Sequence, residues 1–396
     1  MQSPAIQTID PLLAWRKEFP TLEHTVHLIS HSLGAMPRRT RERLNEYADT
    51  WMTRGIRAWE EGWWEMPVTV GNLVASIIGA GAGEVAMLPN VSIAQAIINS
   101  CFDWTGPRNR IVAEELNFPT NLYLYHELER SGARLEIVPS DDGMTIPLER
   151  MLAAIDERTQ LVSVSHVIYK SAYVQDVAAI TRRAHEMGAL VVADIYQSAG
   201  TLPVNVRDMG VDFAAGGSVK WLCGGPGAGY LYVRSDLRAS LEPRVTGWVA
   251  HKRPFAFESG GIEYADDAFR FLNGTPAIPA LYAARSGYEI INEIGVANIR
   301  RKSLRQTQRL IDLADEAGFR INTPRAEAER GGTVTLDVPG GQEITKELLR
   351  RDFLVDFRPG AGIRVAPHFY TKDEELDLLI SEIQAIRAAS EIRAHS

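Results

Sequence analysis

The sequence predicts an α/β protein whose mainly parallel sheet is covered by helices on both faces, with a smaller C-terminal α+β domain. Two observations predict this fold. Between residues 110 and 233, apolar runs typical of buried strands alternate with segments of helical periodicity. From about residue 276, a long helical stretch leads into short β-like segments. The length of 396 residues also favours a large and a small domain over a single compact unit.

The first 138 residues predict an N-terminal arm followed by the first strands of the sheet. The arm contains a short apolar stretch (VHLIS), a turn (HSLGAMP) and a polar helix that begins at Arg38. Spaced apolar residues then predict a helix from Met66 to Gly79. The next predicted elements are two strands and the helix between them, at 110–114, 134–138 and 120–131.

The clearest strand–helix–strand unit begins at Leu161. LVSVSHV is a β-rich run, and Asp176 can cap the helix that follows it. Gly188 ends that helix, and the buried strand ALVVAD ends at Asp194. VDFAAGGSVK and GAGYLYVR are the next strand-like runs. The helix has one apolar face, formed by Val177, Ile180, Ala184 and Met187.

The C-terminal part predicts a mixture of helices and short strands. A helical stretch at about 277–317 precedes three β-like segments (TVTLDV, FLVDFR and GIRVAP) and a final amphipathic helix at roughly 373–389. We therefore divide the chain into an arm that contributes to the small domain, a large ligand-binding domain and a small C-terminal domain, at residues 1–50, 51–275 and 276–396.

The composition argues against several classes of protein. A net charge of −8 without a basic stripe disfavours nucleic-acid binding. The two cysteines are too few for a disulfide framework. The N-terminus does not resemble a signal peptide, and no apolar run reaches the ~18 residues of a membrane span. We expect a soluble, cytoplasmic protein that does not bind membranes.

The glycine and histidine patterns exclude two further kinds of site. GAGAGE (79–84) and GGPGAG (224–229) lack the G-x-G-x-x-G spacing of a dinucleotide site, and both are predicted to be turns. The histidines show no metal-ligand spacing, so we expect no metal. His185 and His395 are predicted to lie on the surface. His166 ends a strand that points at the predicted ligand crevice, and its role stays open.

Two residues at the carboxyl ends of neighbouring strands carry the chemical prediction. Ligands of parallel sheets bind beyond those strand ends. Lys220 follows an apolar strand, where burial would lower its pKa and make its amine a nucleophile. Asp194 lies one strand–helix–strand unit earlier, at the same edge of the sheet. This pair fits pyridoxal phosphate, whose pyridine nitrogen a carboxylate keeps protonated while a lysine forms the Schiff base. The simpler alternatives are a helix cap and an ordinary edge lysine.

At these residues the sequence resembles the class V aminotransferase superfamily, and within it the kynureninases most. The resemblance extends over about residues 28 to 385 and implies an aspartate-aminotransferase-like fold (fold type I) with a seven-stranded type of sheet. It also implies a pyridoxal-phosphate cofactor, an amino-acid substrate and a homodimer whose pockets are completed by the second chain. Eight segments carry it, in the family's order: HSLGAMP, NFPTNLY, SHVIYKSAYVQD, DIYQSAG, SVKWLCGGPG, GWVAH, FLNGTPAI and GIRVAPHFY.

The resemblance implies roles at the cofactor for individual residues. Lys220 would form the Schiff base, and Asp194 would pair with the pyridine nitrogen. Phe118 would stack on the pyridine ring, unless it is a plain core phenylalanine. Ser92, with Val91 beside it at the start of a helix, would hold the phosphate. The alternative for Ser92 is a simple N-cap.

Other implied roles lie at the rim of the pocket. Trp248 and Thr275 would complete the phosphate site, at least one of them from a partner chain. Arg364 would bind a substrate carboxylate through a bidentate pair, unless it is a surface arginine. Three tryptophans could wall a pocket for an aryl group, or could be core or interface aromatics: Trp59, Trp63 and Trp64.

Four positions depart from the kynureninase pattern. Val219 replaces a tyrosine that precedes the lysine and is associated with phosphate contact and proton transfer. Gln197, expected at the cofactor, replaces a histidine. His31 and Asn121, expected near the substrate, replace an asparagine and an aspartate. These changes leave the cofactor prediction intact but leave the substrate open.

Three functions are compatible with these residues. The first is kynureninase-type hydrolysis, in which the Cβ–Cγ bond of kynurenine or a related amino acid breaks. The second keeps the cofactor but ends in transamination, epimerisation or β-elimination of a sulfur group. A cysteine desulfurase is disfavoured, because no cysteine follows Cys223. The third is a binding protein on a scaffold that has lost catalysis, which Asp194, Lys220 and Arg364 together disfavour.

Overall fold

The structure is a computed structural model that describes residues 10–394, with side chains described through residue 390. The first nine residues of the predicted arm and His395 lie outside the described residues. Among the described helices, none combines the length and hydrophobicity that crossing a lipid bilayer requires.

The described elements follow the predicted alternation of strands and helices. Up to residue 165 they are β1 (Val26–His27), α1 (Arg38–Arg54), α2 (Met66–Ile78), β2 (Val85–Leu88), α3 (Val91–Ser100), β3 (Arg110–Glu114), α4 (Pro119–Leu128), β4 (Arg134–Val138), α5 (Leu148–Ala154) and β5 (Thr159–Ser165). The later elements are α6 (Val177–Glu186), β6 (Leu190–Asp194), α7 (Val206–Met209), β7 (Phe213–Gly217), β8 (Gly229–Val233), α8 (Ile278–Ile294), α9 (Val296–Glu316), β9 (Arg320–Ile321), β10 (Val334–Asp337), α10 (Gly341–Arg350), β11 (Phe353–Leu354), β12 (Asp356–Arg358), β13 (Gly362–Val365) and α11 (Asp373–Ala394).

A seven-stranded sheet forms the centre of the molecule, in the order β2-β8-β7-β6-β5-β3-β4. Neighbouring strands are parallel except at β8, which runs antiparallel to β2 and β7. Successive residues of a strand belong to different cores: Val191 packs on one face of the sheet and Val192 on the other. The predicted mainly parallel sheet, covered on both faces, is confirmed.

A smaller antiparallel sheet lies towards the C-terminus, in the order β12-β13-β10-β9. It has its own core, to which Leu28 of the arm contributes. Strand β1 of the arm pairs in parallel with β11, with Val26 opposite Phe353 and His27 opposite Leu354. The arm is therefore hydrogen-bonded to the C-terminal part, while the exact division of the chain at residues 50 and 276 stays a prediction.

Three elements differ in detail from the sequence-based expectations. The helical stretch at 277–317 is two helices, because Gly295 breaks it with a φ of 80°. FLVDFR forms two short strands, since β11 pairs with the arm whereas β12 pairs with β13. Only two residues of VHLIS form a strand. The cap at Asp176 is confirmed, because its carboxylate accepts a hydrogen bond from the Ala179 N–H at 2.9 Å.

Gly34, in the HSLGAMP turn, holds the arm against the segment that contains Lys220. Its N–H donates to the carbonyl oxygen of Val219 at 2.8 Å. A Cβ atom at Gly34 would lie 2.2 Å from the carbonyl oxygen of Lys220 and 3.0 Å from Cys223 Sγ. Glycine is therefore required for this approach of the two backbones.

We expect Gly34→Ala to lower the free energy of unfolding by about 2 kcal/mol, because the added methyl group must push packed backbones apart. Chemical denaturation measures the change. Gly106→Ala is the matched control, since no atom lies within 4 Å of a Cβ there, and its effect should stay within about 0.5 kcal/mol. Equal stabilities of the two variants would contradict this packing.

Candidate active site

A pocket of about 230 Å³ lies beyond the carboxyl ends of β5, β6 and β7, next to the first turn of α3. Six of the predicted cofactor residues line it: Val91, Ser92, Phe118, Asp194, Gln197 and Lys220. The other lining residues are Asn90, Thr120, Ser165, Val167, Tyr169 and Tyr196. The structure therefore places the predicted acid and the predicted amine in one cavity.

Asp194 is a buried carboxylate at the end of β6, opposite Ser165 of β5. Its Oδ1 accepts the Tyr196 N–H at 2.9 Å, and its Oδ2 accepts the Asn121 amide at 3.2 Å. Burial raises the pKa of Asp194, which these hydrogen bonds and the charge of Lys220 oppose. Among the described residues Asp194 forms no ion pair. A cationic partner, such as a protonated pyridine nitrogen, would complete its surroundings.

Lys220 lies three residues beyond the end of β7 and projects into the same pocket. Its Nζ lies 4.2 Å from the ring centre of Tyr196 and 5.5 Å from that of Phe118. We find no hydrogen bond or ion pair of this amine within residues 10–394. Burial lowers the pKa of Lys220 to about 8, although the charge of Asp194 opposes the shift. The amine is therefore available as a nucleophile near neutral pH.

Buried amides position the two charged groups. The Asn121 amide nitrogen donates to Asn117 Oδ1 at 2.8 Å as well as to Asp194. Gln197 Nε2 donates to the carbonyl oxygen of His31 at 3.1 Å, while Trp221 Nε1 donates to Gln197 Oε1 at 3.0 Å. Asn121, which was predicted to lie near the substrate, thus contacts the carboxylate of Asp194. Gln197 connects the pocket to the arm through His31.

The N-terminus of α3 opens towards the pocket. Asn90 is the N-cap, because its side chain accepts the Ile93 N–H at 3.0 Å. Ser92 therefore does not serve as the N-cap. The first N–H groups of a helix have no partners within the helix, and such termini bind anions. Val91 and Ser92 are placed where they can hold a phosphate.

Arg364, predicted to bind a substrate carboxylate, is already paired with a carboxylate of the chain. Its Nε lies 2.8 Å from Asp356 Oδ1 and its Nη2 lies 2.5 Å from Asp356 Oδ2. Its Nη1 donates to the carbonyl oxygen of Tyr169 at 2.8 Å. The arginine is buried, so its interpretation as a surface residue is wrong.

Asp356 also contacts two other polar groups. His31 Nε2 lies 3.0 Å from Asp356 Oδ1, and Arg358 Nη2 lies 3.0 Å from Asp356 Oδ2. Burial lowers the pKa of His31 to about 3, with the nearby Arg364 charge acting in the same direction. Burial opposes the ionisation of Asp356, but the hydrogen bonds from His31 and Arg364 hold its pKa below its usual range. Two arginines and one carboxylate leave this cluster with one net positive charge.

The sequence reasoning missed Asp356 and Tyr196. A signal for Asp356 was present, because β12 and β13 form an antiparallel pair in which Asp356 lies directly opposite Arg364. The segment FLVDFRPGAGIRV could have indicated that hairpin. Tyr196 follows Asp194 in DIYQSAG, where nothing in the local pattern shows that its ring reaches Lys220.

Trp248 and Thr275 do not reach this pocket within the chain. They line a separate surface groove of about 780 Å³ together with Trp59 and Trp64. Trp63 is instead buried in the core. The three tryptophans at 59, 63 and 64 therefore do not form an aryl pocket beside Lys220 in the same chain.

The two other histidines considered above and both cysteines lie outside the pocket. His166 is buried but does not line the pocket, and His185 lies 2.9 Å from a buried carboxylate oxygen of Asp212. Cys101 and Cys223 are free thiols outside the pocket. Within residues 10–394 we find no group of three side chains that could hold a metal ion.

Comparison with known proteins identifies the family. The family model described as aminotransferase class-V matches residues 37–365. The chain belongs to the class V aminotransferase family. This class V enzyme is 33% identical to YcbU, an uncharacterized aminotransferase of Bacillus subtilis. The alignment of 372 residues covers 94% of this chain and 97% of the relative. It is also 33% identical over 369 residues to the kynureninase of Pseudomonas fluorescens, and this alignment covers 89% of this chain and 87% of the kynureninase.

Solved structures support the same fold. An apo cysteine desulfurase from Thermococcus onnurineus matches the class V enzyme with a TM-score of 0.85 at 23% identity, over 94% of this chain and 97% of the other. The cystine C–S lyase C-DES matches with a TM-score of 0.83 at 19% identity, over 92% and 98%. The predicted fold type I architecture is confirmed.

The cofactor of this class V enzyme is pyridoxal phosphate. A variant of the C–S lyase carries glycine covalently linked to its pyridoxal-phosphate cofactor. The pocket described above fits this molecule. It offers an unpaired amine for the aldehyde, a buried carboxylate for the pyridine nitrogen and a helix N-terminus for the phosphate.

The low pKa of Lys220 predicts how the apo-enzyme takes up its cofactor. The neutral, nucleophilic fraction of the amine is already present near neutral pH and becomes the larger fraction above its pKa of about 8. We expect the uptake rate, followed by absorbance, to be half-maximal near pH 8 and to level off about one unit higher, whereas an ordinary lysine would have its midpoint at about 10.4. Borohydride reduction and peptide mapping should place the label on Lys220. A rate that still climbs towards pH 10, or a label elsewhere, would contradict the assignment.

Proposed function

We propose that this enzyme cleaves the Cβ–Cγ bond of kynurenine or a related amino acid by hydrolysis. The observation that carries the proposal is the Lys220 amine, which is desolvated, faces Asp194 in the same pocket and lies against two aromatic rings. The identity of 33% with a kynureninase over 89% of the chain supports this choice of reaction.

The proposed division of labour follows from the positions of the side chains. Bound pyridoxal phosphate withdraws electrons from the Cα of an attached amino acid and makes its proton acidic. Lys220 would hold the cofactor and accept that proton, and Asp194 would keep the pyridine nitrogen protonated. Phe118 would lie over one face of the pyridine ring. The helix N-terminus at Val91 and Ser92 would bind the phosphate.

The cluster at β12 and β13 is the proposed site for the substrate carboxylate. Arg364 and Arg358 share Asp356 as their partner, so one positive charge remains for a bound anion. The neutral His31 beside them does not change this balance. Asp356 holds the guanidinium group of Arg364 in place. This restricts the directions from which a substrate carboxylate can approach the guanidinium group.

Aromatic residues near the pocket favour an aryl substrate. The rings of Phe118 and Tyr169 meet edge to face, with centres 5.3 Å apart. Tyr123, on the helix that begins after Phe118, is 70% exposed. Such rings can stack against an aromatic side chain of a substrate. His31 and Asn121 stay predictions as direct substrate contacts.

Transamination, epimerisation or elimination of a sulfur group is the second candidate. It is favoured by Val219, which supplies no tyrosine hydroxyl next to Lys220, and by the relative from Bacillus subtilis that is named an aminotransferase. A desulfurase that carries persulfide on a cysteine is disfavoured, because neither Cys101 nor Cys223 lines the pocket. A purely binding protein is disfavoured by the available amine of Lys220.

Product analysis on a panel of amino acids separates the candidates. With kynurenine we expect alanine and 2-aminobenzoate in equal amounts, because hydrolysis of the Cβ–Cγ bond divides the substrate there. Mass spectrometry quantifies both products. Lys220→Ala is the control and should form neither. A keto acid, a D-amino acid or sulfide from another substrate, with kynurenine left intact, would instead support the second candidate.

We also propose that two chains complete each other's pockets. The groove at Trp248 and Thr275 is lined by apolar side chains that a monomer would leave in water, including Ile56 at 82% exposure and Phe257 at 75%. Exposed apolar patches of this kind mark protein interfaces. The family resemblance assigns Trp248 and Thr275 to the phosphate site, which they cannot reach within their own chain.

We expect Ile56→Arg to shift the protein to a monomer and to weaken cofactor binding at the same time, because the charge would be buried in the apolar interface. Sedimentation velocity and absorbance of the bound cofactor measure the two effects. Leu349→Arg is the matched control, since Leu349 is 44% exposed on α10 and does not line the groove. An Ile56→Arg dimer with full cofactor content would rule out this interface.

A further inference from the structure

Tyr196 is a pocket residue to which neither the sequence pattern nor the family resemblance gives a role. It lies two residues after Asp194, and its N–H donates to Asp194 Oδ1 at 2.9 Å. The Lys220 amine lies 4.2 Å from the centre of its ring. Tyr196 therefore contacts both of the groups that define the pocket.

The hydroxyl of Tyr196 occupies the space that Gly217 leaves open at the end of β7. A Cβ atom at Gly217 would lie 2.4 Å from this hydroxyl oxygen and 2.6 Å from the ring carbon that bears it. Any larger residue at position 217 would displace the ring. Gly216 makes room for the Tyr230 hydroxyl in the same way, and Tyr230 does not line the pocket.

The segment before Lys220 supplies no other hydroxyl to the pocket. The Ser218 hydroxyl donates to the carbonyl oxygens of Gly225, at 3.1 Å, and Ala228. Val219 is apolar and Gly217 has no side chain. The Tyr196 hydroxyl, by contrast, makes no hydrogen bond within the described part of the chain, and burial and Asp194 are the influences on its pKa.

This hydroxyl lies on the side of the pocket where α3 begins. Gly217 pairs with Gly229 of β8, and a Cβ atom at Gly229 would lie 2.7 Å from Asn90 Cα. Asn90 is the N-cap of α3, whose first N–H groups can bind an anion. Lys220 is the only cation among the residues that line the pocket. A bound phosphate therefore depends on neutral donors in this region.

We propose that Tyr196 is a cofactor-binding residue whose hydroxyl donates a hydrogen bond to the phosphate of pyridoxal phosphate, beside the N-terminus of α3, while its ring faces the Lys220 amine. The proposal rests on the cofactor pocket proposed above. Burial raises the pKa of Tyr196 to about 12, so the phenol stays protonated and able to donate at neutral pH. The contact comes from the segment that follows β6, not from position 219.

Titration of the apo-enzyme with pyridoxal phosphate and with pyridoxal, which lacks the phosphate, tests the proposal. Tyr196→Phe removes only the hydroxyl. Because a hydrogen bond to a charged group is lost, we expect pyridoxal phosphate to bind roughly 10- to 100-fold more weakly. Pyridoxal binding should not change. Tyr230→Phe is the matched control, since it removes the hydroxyl beside Gly216, and should alter neither affinity.

A rescue variant gives a second, independent measurement. Tyr196→Ala opens the space at Gly217, and adding Gly217→Ser to it returns a hydroxyl to the same place from β7. The double variant should recover part of the pyridoxal-phosphate affinity that Tyr196→Ala loses. Equal losses for both ligands in Tyr196→Phe, or no loss for either, would overturn the phosphate contact. A wild-type protein that fails to bind pyridoxal phosphate would overturn the pocket itself.

Discussion

Desolvation of Lys220 is the constraint on which the pocket depends. An ammonium group that is buried without a close partner costs free energy, and here the cost appears as a pKa lowered to about 8. Ionised Asp194 is likewise destabilised by burial, because burial raises its pKa and no described cation pairs with it. The sheet holds both groups in place, since β6 and β7 are hydrogen-bonded neighbours. Binding a cofactor with an aldehyde and a basic nitrogen relieves both costs at once.

The sequence predicted the parts of the site that follow from regular structure. Asp194 ends β6 and Lys220 follows the end of β7, the neighbouring parallel strand, so their proximity follows from the strand–helix–strand pattern alone. The roles of Val91 and Phe118, by contrast, were implied by the family resemblance. Both residues line the pocket, Val91 at the start of α3 and Phe118 just before α4.

The parts that sequence reasoning missed depend on contacts between distant segments. Asp356 matters only because the hairpin of β12 and β13 places it opposite Arg364, and because the arm brings His31 to it. Tyr196 reaches its position because Gly217, on the next strand, has no side chain. The local sequence pattern around Tyr196 does not show that a glycine on another strand makes room for its ring. Trp248 was assigned to the phosphate site by resemblance, and the fold of one chain places it on a different surface.

The N-terminal arm has a mechanical consequence for the reacting amine. It is hydrogen-bonded to the small sheet region through β1 and β11, and Gly34 rests directly on the carbonyls of Val219 and Lys220. Between these two contacts, Leu28 packs in the core of the small sheet and Ile29 bridges to Ala366. The position of the lysine backbone therefore depends on the packing of the C-terminal part as well as on the central sheet.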